Sequence, residues 1–465
     1  MGRKPLELEN IEITDWTENK AIAKVNDLVI FVKDAIPGDI VNLRVNRKKN
    51  FAEGYISKMV SLSPMSVTPF CAHFDYCGGC VSQRMPYEEQ LKYKEKQVKD
   101  QLQRIGRIEF PDINPIIASE KTTFYRNKLE FTFSKKRWLT KDEIDKETID
   151  DPNALGFHIS GCYDKVLDIE KCWLQASPSN EIRLEAKQYA IKKGYSFFDI
   201  KNKTGFLRNL IIRTSSTKEV MVIVVFGEHN EENQFDFLEM LKNKFDITSL
   251  QYTINTKGND SIFNLEVICY SGKPFIEENM ELVFRIGPKS FYQTNSEQAY
   301  NLYKVVRNFC ELSGNELVYD LYTGTGTIAN FIAKQSKKVV GIEYIPEAIS
   351  DAKINSTLNG IENTVFYSGD MKDILTSEFF EINGAPDIVI LDPPRAGLHP
   401  SIPKVLMEAS PNKIIYVSCN PATQARDIAM LYPMYKHIKS QPVDMFPHTP
   451  HVENVALLVK ANTNS

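Results

Sequence analysis

Three residues in the C-terminal part of this 465-residue chain are suited to chemistry, because each lies at one end of an apolar, strand-like run. Cys419 and Asp392 each follow such a run, and Glu453 precedes a third one. Open α/β sheets bind their ligands at the carboxyl ends of the strands, so three such residues at one edge predict an active site. A lone cysteine is more often a buried, inert thiol. The two carboxylates are what favour catalysis here.

A thiol beside carboxylates suits methylation of a pyrimidine carbon. The C5 carbon of a pyrimidine is a poor nucleophile until another group adds to C6, and a cysteine thiolate can both add there and leave again. The C5 proton must then be removed by a general base, for which Glu453 is the candidate. Arg395 follows Asp392-Pro-Pro where amino-directed adenine methyltransferases usually carry an aromatic residue, which counts against that acceptor.

A glycine turn further upstream indicates a nucleotide cofactor. Gly324-Thr-Gly326-Thr-Ile-Ala329 follows a strand-like run and matches the G-x-G-x-x-A pattern of dinucleotide-binding turns. Glu343 comes nineteen residues after Gly324, where an acidic residue binds a ribose hydroxyl. Both a nicotinamide nucleotide and S-adenosylmethionine fit this pattern. The Asp-Pro-Pro turn after Leu391 favours S-adenosylmethionine over a nicotinamide-dependent oxidoreductase.

The elements that must position these residues form the last of three predicted domains. Strand and helix patterns alternate over residues 281–465, which predicts a Rossmann-like, doubly wound and largely parallel sheet. Residues 64–280 are predicted to form an α+β domain with an antiparallel sheet. Its strands are expected at Lys128–Phe133, Leu207–Thr214, Val220–Phe226 and Gln251–Asn255.

The first predicted domain, residues 1–63, is a small β-barrel, because short β-like runs alternate with turn residues. A basic run lies between its later strands and has two possible roles, phosphate contact or a solvated loop. It consists of Arg44, Arg47, Lys48 and Lys49, and phosphate contact is an equal alternative to a solvated loop because the run lies on a small β-barrel.

Bulk composition is that of a soluble globular protein, with 42% hydrophobic and 25% charged residues. The net charge of -4 argues against a globally basic binder but leaves room for RNA, since a local basic stripe is enough. We expect neither a signal peptide nor a membrane span, and a cytoplasmic location suits the reduced thiols.

A cysteine cluster opens the middle domain. Cys71, Cys77 and Cys80 have a spacing that lets three thiolates converge on one centre, and Cys172 is our choice as fourth ligand over Cys162. Four cysteines suit a structural zinc ion and an iron–sulfur cluster equally well, so the spacing leaves the metal open.

Taken together, these motifs resemble the RNA uracil-5-methyltransferase family over essentially the whole chain. The residues that carry the resemblance are the cysteine run with Cys172, Tyr-Arg-Asn-Lys (125–128), Phe-x-Gln-x-Asn (291–295), Asp-Leu-Tyr-Thr-Gly-Thr-Gly (320–326), Asp-Pro-Pro-Arg (392–395), Ser-Cys-Asn-Pro (418–421) and His-Val-Glu (451–453). The resemblance implies a class I methyltransferase domain with Cys419 as nucleophile and Glu453 as base. It further implies that S-adenosylmethionine is held by Gln293, Tyr322, Glu343 and Asp392.

The same resemblance implies a [4Fe-4S] cluster on the four cysteines and identifies the N-terminal barrel as similar to a TRAM domain, a small RNA-binding barrel. Members that act on tRNA usually lack both features, so the chain is most similar to enzymes that act on large-subunit ribosomal RNA, and the implied substrate is a uridine of 23S rRNA. We also expect a monomer. A tRNA substrate is the alternative. Thr327 and Asp370 stand where asparagine is common in bacterial relatives, and we assign them no cofactor contact.

Overall fold

The computed structural model describes residues 6–18, 20–107, 109–144 and 151–461. The outermost predicted domain limits, residues 1 and 465, lie outside these ranges. The strands are arranged as a six-stranded N-terminal sheet, a seven-stranded central sheet, a two-stranded ribbon and a seven-stranded C-terminal sheet. Within these ranges, no helix is long and apolar enough to cross a membrane.

The N-terminal sheet has the strand order β1-β5-β6-β4-β3-β2, with β1 and β2 at its edges. Alternate residues of β5, Val41, Leu43 and Val45, are buried because the side chains of a strand alternate between its two faces. The sheet therefore has a hydrophobic core of its own. Its strands are β1 (Leu6–Glu12), β2 (Asp15–Thr17), β3 (Lys20–Val25), β4 (Leu28–Val32), β5 (Ile40–Arg47) and β6 (Ala52–Ser61).

Helix α1 (Tyr87–Gly106) follows the cysteine segment and joins the N-terminal part of the chain to its C-terminal part. Val98 and Leu102 are buried in the same cluster as side chains of the C-terminal sheet. The spacing of four residues puts them on one face of the helix. Lys94, one turn before Val98 on that face, is fully buried as well.

The central sheet has the order β13-β12-β11-β10-β7-β8-β9. The prediction of a purely antiparallel sheet was wrong at one place, because β11 and β12 pair in parallel. A parallel pair needs a crossover connection, and α4 supplies it between the two strands. The elements are β7 (Lys128–Ser134), α2 (Lys141–Ile144), β8 (Ala154–Ile159), β9 (Cys162–Asp168), α3 (Ser179–Lys193), β10 (Leu207–Thr214), β11 (Val220–Phe226), α4 (Glu231–Lys244), β12 (Ser249–Ile254) and β13 (Ile268–Gly272).

The C-terminal sheet has the order β18-β17-β16-β19-β20-β22-β21 and is parallel from β18 to β20. The preceding elements are the ribbon β14 (Ile276–Met280) and β15 (Leu282–Ile286), then α5 (Ser296–Cys310). The strands are β16 (Leu317–Leu321), β17 (Lys338–Glu343), β18 (Thr364–Ser368), β19 (Ile388–Leu391), β20 (Lys413–Ser418), β21 (Tyr435–Val443) and β22 (Glu453–Lys460). The helices are α6 (Thr327–Ala333), α7 (Pro346–Leu358), α8 (Met371–Ile374), α9 (Ser377–Asn383), α10 (Ile402–Ala409) and α11 (Pro421–Leu431).

Both faces of this sheet are covered. Ile415 faces a cluster that includes side chains of α5 and α6, whereas Ile414 and Tyr416 face a cluster that includes side chains of α1 and α11. β22 runs antiparallel to β20, with Ser418 opposite Asn454. The beginning of β22 therefore lies at the same edge as the carboxyl ends of the parallel strands.

Candidate active site

Cys419 lies between the end of β20 and the start of α11. The side chain of Asn420 caps α11 by accepting a hydrogen bond from the Ala422 backbone N–H at 3.2 Å. Asn420 also donates through its side-chain amide to the Arg395 carbonyl at 3.2 Å, which joins this turn to the loop after β19. The thiol is thus held on two regular elements and is half-buried.

Glu453 reaches the same place from β22. Its backbone lies one residue before Asn454, the partner of Ser418, and its residue is 5% exposed. Burial is the largest cause that raises the pKa of Glu453 to about 8; the charge of Asp392 adds to it and Arg395 opposes it. Burial, then Glu453 and Asp392, raise the pKa of Cys419 to about 11. The charges of Glu453 and Asp392 therefore reach the Cys419 thiol, and the charge of Asp392 reaches Glu453.

The glycine turn after β16 forms the neighbouring part of the site. Tyr322 has a φ of 65°, which is rare for a bulky residue, and Gly324 and Gly326 have φ values of 56° and 72°. Glu343, the last residue of β17, accepts a hydrogen bond from the Gly324 N–H at 3.2 Å. This contact holds the glycine turn against β17. The Glu343 carboxylate at the end of that strand is the one predicted from the sequence to bind a ribose.

One cavity of about 1780 Å³ unites these residues. Its walls contain all six catalytic and cofactor-binding residues proposed from the sequence, which are Cys419, Glu453, Gln293, Tyr322, Glu343 and Asp392. Gln293 comes from the segment before α5, and the side-chain amide of Asn127 holds its carbonyl at 2.9 Å. The cavity thus lies between the C-terminal sheet and the central part of the chain.

Comparison with known proteins agrees with this geometry. Residues 207–461 match the family model described as tRNA (Uracil-5-)-methyltransferase. A protein of Bacteroides thetaiotaomicron, named an uncharacterized RNA methyltransferase, is 58% identical over 448 residues, which cover 95% of this chain and 99% of the relative. A protein of the same name from Porphyromonas gingivalis is 55% identical over 462 residues, or 97% of this chain and 99% of the relative.

The chain belongs to the RNA uracil-5-methyltransferase family. A solved structure gives the match in three dimensions, the tRNA (uracil-54, C5)-methyltransferase of Pyrococcus abyssi in complex with S-adenosyl-L-homocysteine. It is 31% identical with a TM-score of 0.75, and the match covers 97% of this chain and 100% of that one. The chain is therefore an RNA methyltransferase of a family that uses S-adenosylmethionine.

The cavity of the methyltransferase contains two carboxylates that a cation such as S-adenosylmethionine could stabilise. Burial, and then neighbouring carboxylates, raise the pKa of Asp320 and of Asp392 to about 7 each. One oxygen of Asp320 accepts from Thr323 at 2.5 Å and from the Ala329 N–H at 3.1 Å. Its other oxygen is buried and unpaired among the described residues. A ligand that carries positive charge would stabilise these carboxylates in their ionised form.

The four cysteines assigned to a cluster line a second cavity of the methyltransferase, of about 460 Å³. Burial, with a contribution from the neighbouring thiols, raises the pKa of Cys77 to about 11 and that of Cys80 to about 12. Cys162 is not among the residues that line this cavity, and its thiol instead contacts Asp164 at 3.5 Å. Over the residues that the structure describes, no three Cys, His, Asp or Glu side chains are arranged to bind a single metal ion.

Sequence reasoning missed several residues of the methyltransferase site. Phe446 and Tyr303 line the main cavity, and Tyr303 lies near Asp392, Asp320 and Glu453, whose charges add to burial in raising its pKa. Arg126 belongs to the Tyr-Arg-Asn-Lys motif, and its guanidinium lies 5.1 Å from the centroid of the Phe446 ring. Only Arg126 belonged to a quoted motif. Phe446 and Tyr303 lie outside every quoted motif, so the motifs could not identify them.

Proposed function

We propose that this methyltransferase transfers a methyl group to C5 of a uridine in RNA through a covalent bond between Cys419 and C6. The observation that carries the proposal is that Cys419, directly after β20, and Glu453, on the adjacent strand β22, line one cavity, where the charge of Glu453 contributes to the raised pKa of Cys419. A nucleophile and a base side by side are what C5 methylation requires.

The reaction divides the work between the two side chains. The thiol of Cys419 loses its proton to solvent, the resulting thiolate adds to C6, and the electron pair of the C5=C6 bond makes C5 nucleophilic. S-adenosylmethionine supplies an electrophilic methyl group when bound. Glu453 then accepts the C5 proton; the electrons of that C–H bond restore C5=C6, and the bond between Sγ and C6 breaks to release the thiolate. A base with a pKa of about 8 is efficient near neutral pH.

For the cofactor we propose contacts from Gln293, Tyr322, Glu343 and Asp392. Their support is the shared cavity together with the buried Asp320 oxygen that has no hydrogen-bond partner among the described residues. Glu343 lies at the carboxyl end of β17, where an acidic side chain can accept hydrogen bonds from ribose hydroxyls. Its hydrogen bond with Gly324 holds it at the glycine turn.

We also propose that Cys71, Cys77, Cys80 and Cys172 hold a [4Fe-4S] cluster. The support is that all four cysteines line one cavity, whereas Cys162 does not, together with the resemblance to family members that carry such a cluster. Thiolate sulfur is the usual ligand of such clusters. Methyl transfer moves no net electrons, so we assign the group a structural role. A zinc site remains the competing assignment.

The proposed domains are a TRAM-like RNA-binding unit at 1–63, the cluster segment and central domain at 64–280, and the methyltransferase domain at 281–465. The basic run of the first unit supports RNA contact only in part. Arg44 pairs with Glu7 at 3.0 Å and Lys48 with Glu53 at 3.3 Å, so these cations have partners already. Arg47 and Lys49 are exposed and are the better phosphate contacts.

As substrate we propose a uridine of 23S rRNA, modified in the cytoplasm by a monomer. The Pyrococcus abyssi tRNA enzyme favours tRNA as the second candidate, because it matches this chain along its whole length. Mass spectrometry of rRNA and tRNA from cells that lack the gene decides between them. Loss of 5-methyluridine from 23S rRNA, restored by the wild-type gene and not by Cys419→Ala, is the expected result. Loss from tRNA alone would favour the second candidate.

A further inference from the structure

Residues 444–449, the first part of the segment between β21 and β22, are held from several distant parts of the chain. They lead directly into His451 and Glu453 and are called the base-bearing segment below. The backbone N–H of Val81, in the cysteine segment, donates to the His448 carbonyl at 2.8 Å. The hydroxyl of Tyr125 donates to the Pro447 carbonyl at 2.9 Å, and the side-chain amide of Gln298 donates to the Asp444 carbonyl at 2.8 Å.

One further contact is a buried ion pair from α1. The Lys94 ammonium lies 2.5 Å from Asp444 Oδ1, and the side chains are 1% and 0% exposed. The same ammonium donates to the Phe446 carbonyl at 3.1 Å. The second oxygen of Asp444 accepts from the Tyr87 hydroxyl at 2.8 Å, and that hydroxyl accepts from the Ser119 N–H at 2.7 Å. Every polar atom of the pair thus has a nearby partner.

The contacts of the ion pair continue to the catalytic cavity. Phe446, whose carbonyl binds Lys94, also accepts a hydrogen bond from the Thr449 hydroxyl at 2.7 Å. The ring of Phe446 lines the cavity beneath Arg126 and packs edge-on against His451 at 6.3 Å between ring centroids. Glu453 is two residues beyond His451. A shift of the first turn of the base-bearing segment would therefore move the wall of the site next to the base.

We infer that the Lys94–Asp444 pair positions Glu453 for removal of the C5 proton, an inference that rests on the proposed function. Burying two charges is costly, and an apolar pair of similar volume would hold α1 to the sheet at least as well. The ammonium, however, binds two acceptors of the same turn and so specifies one conformation of it. Lys94 and Asp444 touch neither substrate nor cofactor and act through the segment.

A positioning role for the Lys94–Asp444 pair should affect removal of the C5 proton and leave the earlier steps of the reaction unchanged. Cys419 lies between β20 and α11, Tyr322 lies in the turn after β16, and Glu343 ends β17, whereas the hydrogen bonds of the Lys94 ammonium go to Asp444 and Phe446. Addition to C6 and methyl transfer should proceed. Proton removal by Glu453, with release of the Cys419 thiolate, should be slow. A misplacement of about 1 Å can lower the rate of a step by about 100-fold.

The test is the double variant Lys94→Met/Asp444→Asn, which removes both charges and leaves no unpaired one. Single-turnover reactions with methyl-labelled S-adenosylmethionine and RNA would follow the labelled covalent adduct and free product separately. We expect adduct to form within about twofold of the wild-type rate and to decay about 10- to 100-fold more slowly. Lys92→Met, on the exposed face of α1 beside Glu89, is the matched control and should match wild type in both steps.

Equal slowing of adduct formation and decay, or no slowing of either, would overturn the inference. If the double variant does not fold, Tyr87→Phe removes a milder contact to Asp444 and should slow decay alone, by about threefold. The failures of the two proposals are distinct. An absence of adduct in wild type and in Glu453→Gln contradicts the proposed function, whereas adduct that accumulates in Glu453→Gln but not in the double variant contradicts only the positioning role.

Discussion

Two glycines of the cofactor turn offer a matched pair of substitutions whose effects should differ by a calculable amount. Gly326→Ala and Gly324→Ala each place a Cβ on a residue with positive φ, at 72° and 56°. That conformation costs an L-residue about 1–2 kcal/mol. A Cβ at Gly326 would lie 2.7 Å from the Ala352 Cβ, whereas one at Gly324 has open space around it.

The close contact at Gly326 adds an overpacking cost of about 1–3 kcal/mol that Gly324→Ala does not have. At about 2–4 °C per kcal/mol for a domain of this kind, the extra fall in melting temperature should be roughly 2–12 °C. Thermal unfolding followed by circular dichroism on the full-length variants measures it. Equal falls in melting temperature for the two variants would contradict an overpacking cost from the contact between a Cβ at residue 326 and Ala352 of α7.

Three further predictions concern the base, the cluster and the RNA contacts. The rate of adduct decay should rise about tenfold per pH unit below a pKa near 8 and level off above it, because Glu453 becomes a base only as it loses its proton. Asp392→Asn should move this midpoint to lower pH, because the charge of Asp392 raises the pKa of Glu453. A decay rate that does not depend on pH in single-turnover experiments would contradict the prediction. Anaerobically purified protein should contain about four irons with sulfide per chain, lost in Cys172→Ala and kept in Cys162→Ala, whereas stoichiometric zinc without sulfide would exclude the cluster. Replacing Arg47 and Lys49 with Gln should lower the slope of log affinity for RNA against log salt concentration by about 0.7–0.9 for each contact. Arg44→Gln should lower this slope less, because Arg44 already pairs with Glu7. An unchanged slope would identify a solvated loop.

Much of the fold and of the site could be predicted from sequence, because the features concerned are local. Strands β10 and β11 begin and end where their apolar runs do, at Leu207–Thr214 and Val220–Phe226. Cys419, Asp392 and Glu453 could be expected to meet because each is adjacent to a strand run, and the strands that carry them are neighbours in the order β19-β20-β22.

What escaped prediction depends on pairing over long distances. Lys94 and Asp444 are 350 residues apart, and nothing in the charged pattern of α1 distinguishes the buried Lys94 from the exposed Lys92. The parallel pairing of β11 and β12 follows from the path of α4, which strand patterns do not reveal. The chain contains 26 phenylalanines, and the sequence does not distinguish Phe446 from the others. The fold of the base-bearing segment places Phe446 in the wall of the cavity.

The division of labour between Cys419 and Glu453 is tested most directly by Glu453→Gln. This variant keeps the shape of the side chain and removes the base, so addition and methyl transfer should still occur while release of the thiolate stops. We expect a denaturation-resistant protein–RNA band that carries label from methyl-labelled S-adenosylmethionine and is absent when Cys419→Ala is added. Normal turnover by Glu453→Gln, or arrest before methyl transfer with no adduct, would contradict the proposed roles.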